Sequence, residues 1–147
     1  MQPEALESVL VGLILDTSVI VRAERRGKSV AEILAQIRET HGETEVGVSV
    51  VTIAELTHGV ERSKLEAQRQ RSQAFVDDVL ATLTVYPVTA EIAQRVGVIS
   101  GQEAQKGITL PFEDLLIGAT ALQLGFELAT QNVRHFEMIP NLVVKQP

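Results

Sequence analysis

The chain has 147 residues, with 13 Lys and Arg set against 19 Asp and Glu, and its formal net charge of −6 excludes a general affinity for polyanions based on overall charge. It has no cysteine, which excludes a disulfide framework and a thiolate metal site. At 45% hydrophobic and 22% charged residues it reads as one globular domain over residues 1–147; no apolar run reaches the roughly 18 residues of a bilayer span, so a cytoplasmic protein without a membrane anchor is expected.

Residues 1–8 read as a lead-in. Residues 9–15 are apolar apart from Gly12 and predict a strand buried on both faces, as in a parallel sheet. Asp16 stands where that run stops. Residues 18–26 predict a short helix whose far end carries Arg22, Arg25, Arg26 and Lys28. That cluster suits a solvated helix end and equally a contact with phosphates. Residues 29–40 predict a second helix with Val30, Ile33, Leu34 and Ile37 on one face. Ile33, Leu34 and Ile37 exceed what one helix face needs against a sheet, and the excess points to dimerisation.

Residues 45–50 predict a strand. Ser49 or Thr52 then caps a helix over residues 51–61, with Glu55 one turn in, beside the apolar face, where a carboxylate needs a partner or a metal. A long polar helix is predicted over residues 63–83, followed by a strand at 83–88. Thr89 caps a helix over residues 90–106. The stretch 110–122 opens with Pro111, favourable at a helix start, and carries Glu113 and Asp114 in its first turn. Its body is small and apolar, so the helix is expected to be buried. Strands follow at 127–130 and, at the edge, 142–144. Strands alternate with helices, which predicts a parallel α/β sheet.

Asp16, Glu55 and Asp114 each fall at a strand end or in a first helical turn of a separate unit, and Asn132 follows the fourth predicted strand. Ligands of open α/β sheets bind at the carboxyl ends of strands. If the units are parallel, these side chains meet there, and an oxygen-rich set without Cys suits Mg²⁺ or Mn²⁺. Each acid also has a capping explanation. His58 and His135 are tempting as bases, but both read more simply as structural. Tyr86 and Phe136 read as packing residues.

Four stretches taken together are more specific: LILDTSVIV at 13–21, TIAELTHGV at 52–60, EDLLIGATAL at 113–122 and ATQNVRHF at 129–136. In order and spacing the sequence resembles the PIN-domain ribonucleases, and among them the VapC toxins of toxin–antitoxin pairs. The resemblance implies a three-layer α/β/α fold with a central, mostly parallel sheet of four to five short strands. It implies metal-assisted hydrolysis of RNA, with Asp16, Glu55 and Asp114 as catalytic, metal-binding acids and Asn132 completing the metal set. The family's fourth position is an Asp or an Asn, and Asn132 leaves the site one charge short. Thr17, Ser18 and Thr130 are implied as support. A homodimer and a VapB-type antitoxin partner are implied too, and Arg22, Arg25 and Arg26 are placed to meet the RNA backbone.

Two other readings compete. A non-catalytic PIN-like module would bind RNA or protein without cutting, and the three retained acids argue against it. A phosphatase using Asp16 as nucleophile would need a second Asp where Ser18 stands.

Overall fold

The computed structural model describes residues 12–147. The predicted strand residues 9–11 and the lead-in at 1–8 lie outside the described residues. The order of elements is β1 (Leu13–Leu15), α1 (Thr17–Arg25), α2 (Val30–His41), β2 (Val46–Ser49), α3 (Val50–Arg62), α4 (Glu66–Thr82), β3 (Thr84–Tyr86), α5 (Ala90–Gln105), α6 (Phe112–Leu124), β4 (Glu127–Ala129), α7 (Val133–Phe136) and β5 (Val144–Lys145). The five strands form one sheet in the order β3-β2-β1-β4-β5, and every ladder is parallel.

Alternation along the strands divides the core into two layers, because successive side chains point to opposite faces. Leu13 and Leu15 of β1 pack with Val46, Val48 and Ala129 against Val19, Ile20, Val30, Ile33, Ile37, Leu56, Val60, Val76 and Val79 from α1 to α4. Ile14 and Leu128 point the other way, onto Ile92, Val96, Ile99, Leu115, Ile117 and Phe136. The result is the expected three-layer arrangement. The predicted excess of apolar residues on α2 is not found. Ile33 and Ile37 are buried in the protein's own core, with Leu34 packed against it.

Local chemistry sets the helix ends. Ser29 and Glu32 form a reciprocal capping box, and those bonds hold the Glu32 carboxyl below its usual range. Ser49, and not Thr52, caps α3 by accepting from the Val51 N–H. Thr89 caps α5 through the Ile92 N–H. Gly125, at φ 71°, ends α6 in the left-handed region that glycine enters without a steric penalty. The helix predicted over residues 63–83 begins only at Glu66, because α3 runs on to Arg62 and the chain is extended at Ser63 and Leu65. The edge strand predicted at 142–144 falls at Val144–Lys145. Leu142 packs instead into the core layer of α6 before the ladder begins.

Candidate active site

Strand order makes the site. From β1 the chain moves outward to β2 and β3, while β4 and β5 extend the sheet on the other side. The crevice where those two directions part is where such sheets bind ligands. Leu15 is in register with Ala129, so the next residues, Asp16 and Thr130, lie side by side at that crevice.

Asp16 occupies the N-cap position of α1, yet its side chain caps nothing. Its Oδ2 instead accepts from Ser18 Oγ at 2.7 Å and from Thr130 Oγ1 at 2.8 Å. The two hydroxyls are themselves fixed: Ser18 Oγ accepts from the Gln131 N–H at 3.1 Å, and Thr130 Oγ1 from the Asn132 N–H at 2.9 Å. Asp16 is only 4% exposed. No hydrogen bond to its Oδ1 occurs among the described residues, and no buried side-chain polar atom there lacks a partner, so Oδ1 opens to the surface. A carboxylate cradled on one oxygen and open on the other is set up to take a cation or a donor from outside. The capping explanation of Asp16 is thereby excluded.

Glu55 is exposed on α3, and not held beside the apolar face. Thr17 Oγ1 donates to Glu55 Oε1 at 2.5 Å and lies 2.9 Å from Thr52 Oγ1. Asp114 has its Oδ2 2.9 Å from His135 Nδ1, brought up by α7. Burial pushes the Asp114 carboxyl above its ordinary value; His135 opposes the shift, and the charges of Asp16, Glu55 and Glu113 add to it. Asp114 thus lies in the field of both other acids. Even so, no three Asp, Glu or His residues form a ready-made metal cluster among the described residues. Glu55 is bonded to Thr17 and Asp114 to His135. The donor chemistry, carboxylate oxygens with hydroxyls beside them, fits a hard divalent cation.

Asn132 stands at the same edge, exposed, its backbone N–H on Thr130. Arg22 Nη1 donates to Gln131 Oε1 at 3.1 Å. Arg22 and Arg26 line a cleft between α1, α2 and the C-terminal residues Gln146 and Pro147, with Lys28 and His41 beside them. Arg25 is exposed on α1. His58 is exposed on α3. His135, weighed in the sequence as a base and read as structural, is here the partner of Asp114. Thr52, read only as a possible cap, meets Thr17 instead. Gln131, an ordinary loop residue in the sequence, was missed as the partner of Arg22 and Ser18.

Fold and site together define a class: an α/β/α protein with an acidic site at the switch point of a parallel sheet. The family model for the PIN domain matches residues 13–141. Ribonuclease VapC1 of Rickettsia felis is 32% identical over 134 residues, 91% of this chain and 95% of that protein. Ribonuclease VapC19 of Mycobacterium tuberculosis is 34% identical over 129 residues, 88% of this chain and 95% of the other. Among solved structures, VapBC2 of Rickettsia felis, bound to a DNA fragment from its promoter, superposes with a TM-score of 0.77 at 27% identity, covering 91% of this chain and 97% of that one. The chain belongs to the PIN-domain family, in its VapC branch.

Proposed function

We propose that this protein is an endoribonuclease dependent on Mg²⁺ or Mn²⁺ and the toxin of a VapBC toxin–antitoxin pair, its 147 residues forming a single PIN domain. The observation that carries the reading is the Asp16 cradle. Two hydroxyls, each held by a backbone N–H, fix one carboxylate oxygen and leave the other open, at the sheet's switch point and in the field of two further acids. Asp16, Glu55 and Asp114 would hold the cation, with the Asn132 side chain beside them. When bound, a divalent ion supplies hydroxide from water and neutralises charge on a phosphoryl oxygen.

The protein's own residues do the remaining work. Ser18 and Thr130 keep Asp16 from rotating, as outer partners of metal ligands do. Thr17 and His135 hold Glu55 and Asp114 until a cation draws them in. Arg22, Arg25 and Arg26 neutralise the phosphates of an RNA strand entering beside β1. The likeness to the Rickettsia felis VapBC2 complex supports a VapB-type antitoxin as partner, and a homodimer is the working form we propose.

Purified protein should cut RNA in Mg²⁺ and stop in excess EDTA. Asp16→Asn keeps the shape and removes the ligand charge, and should lower cleavage by at least about 10- to 100-fold, the scale seen for outer partners of metal ligands alone. A variant cutting at the wild-type rate would refute the site. Cleavage undiminished by EDTA would refute the metal dependence.

A further inference from the structure

The cleft between α1 and α2 has Ile33 and Ile37 in its floor and Arg22, Arg26, Lys28 and His41 around it. No Asp or Glu lines it among the described residues. It offers about 740 Å³ of space, open mouth included, within the roughly 300–1,000 Å³ of small-ligand sites. Two glutamines, Gln36 and Gln131, complete its wall, and a cation orients each of them. Lys28 Nζ donates to Gln36 Oε1 at 3.0 Å, and Arg22 Nη1 donates to Gln131 Oε1 at 3.1 Å. Lysine and arginine have no acceptor, so each amide must offer its oxygen and keep its NH₂ for another partner. No described residue takes either NH₂, and none pairs with the Arg26 side chain. The cleft adjoins the Asp16 site through Gln131, whose backbone N–H donates to Ser18 Oγ at 3.1 Å; Ser18 in turn donates to Asp16 at 2.7 Å.

Cations and free amide N–H groups make this wall a set of hydrogen-bond donors. The ligand that fits is anionic and rich in acceptors. Nucleobases differ on that count. Guanine presents two neighbouring acceptors, N7 and O6, whereas adenine and cytosine present an exocyclic amine, which is a donor. A donor set against a donor leaves both unpaired, which costs more than a contact never made. An RNA backbone passing Asp16 meets the Arg22–Gln131 pair with its phosphates. The Lys28–Gln36 pair, on the α2 side, is left for a base. We infer that this cleft is a base-selecting subsite. It seats one guanine nucleotide of the RNA beside the bond that is cut, with the N7 and O6 edge on Lys28 and Gln36 and the phosphate on Arg22 and Arg26. The inference rests on the ribonuclease reading above.

The first measurement needs no cleavage. The full chain in EDTA is titrated calorimetrically with GMP, AMP, CMP, inorganic phosphate and a tetraglutamate peptide. GMP binds about 5- to 150-fold more tightly than AMP or CMP, the scale of one two-point base contact. Gln36→Leu loses that preference. Gln36→Glu turns it toward CMP, because a carboxylate accepts from the cytosine amine. Gln36 is exposed, and both variants keep the wild-type melting temperature. In Mg²⁺, kcat/KM on short RNAs falls by a similar factor when one guanine flanking the cut is replaced by cytosine, and Gln36→Glu reverses that order. Equal binding of GMP and inorganic phosphate overturns the inference, as does a guanine preference that Gln36→Leu leaves intact. Tetraglutamate binding where no nucleotide binds also overturns it and makes the cleft a protein-docking surface. RNA cut without regard to any flanking base overturns the subsite and leaves the ribonuclease reading standing. A protein that cuts no RNA overturns the ribonuclease reading, and the GMP titration then decides the cleft by itself.

Discussion

Asp114 shows what a metal-free acidic site costs its own fold. Burial raises its carboxyl, and the Asp16, Glu55 and Glu113 charges raise it further against the pull of His135. A carboxylate whose pKa is higher folded than unfolded takes stability away as pH climbs from the unfolded value through the folded one. The penalty is therefore complete above the folded value and absent below the unfolded one. Asp114→Asn removes one like charge and one ligand. In EDTA at neutral pH the variant should melt above wild type, and the gap should close as pH falls below the unfolded carboxylate value. Mg²⁺ binds the folded site and not the unfolded chain, so wild type should gain more from it than the variant does. Thermal melts with and without metal check both signs. A variant that melts lower in EDTA and gains equally from Mg²⁺ would make Asp114 a structural residue of α6.

At the scale of elements, β2 shows how tightly the sheet is filled. A Cβ at Gly47 would meet the Tyr86 ring and lie 2.8 Å from the Thr84 carbonyl oxygen, on the neighbouring strand β3. A backbone oxygen in a ladder cannot step aside. Gly47→Ala should cost about 1–3 kcal/mol, as overpacking does, read as a lower urea midpoint. Helix α1 makes a different prediction. Replacing Arg22, Arg25 and Arg26 with Gln should weaken RNA binding and flatten the slope of log affinity against log salt by up to about three phosphate contacts. An unchanged slope would move the RNA path elsewhere. Most of these elements were legible because periodicity and punctuation agree along the chain: the buried run ending at Leu15, the Ser29 box, Thr89 before α5, the apolar body of α6. Asp16 and Asp114 were legible because each stands where such a pattern ends or begins, and Glu55 because it is a carboxylate beside the apolar positions of a helix. The details of the site were not. Thr17 reaches Thr52 and Glu55 across 35 and 38 residues, and His135 reaches Asp114 from a separate element; pattern within a window holds no information on such pairings. The surplus read into Ile33, Leu34 and Ile37 failed for a related reason, since α2 faces both the sheet and α4.

For the whole molecule, the apolar surface left over lies on other elements. Val98 is 57% exposed on α5, next to Gly97 and near Gly101, where added Cβ atoms would touch nothing within 4 Å. A smooth helix face of this kind suits close approach by a second copy. Light scattering should return a mass near twice 16.0 kDa, and Val98→Asp should halve it; a wild-type monomer would exclude the pairing. The cradle of Asp16 also has a bearing on timing. Its two hydroxyls come from Ser18, two residues away, and from Thr130, 114 residues away. A chain emerging during synthesis folds from its N-terminal part first, and contacts this distant close slowly. By the time α6 has emerged, Asp16, Glu55 and Asp114 are all present, yet β4 has not paired with β1 and the Asp16 carboxylate has only the Ser18 hydroxyl to hold it. The Thr130 half of the cradle is therefore completed only when β4, the fourth of the five strands, pairs with β1.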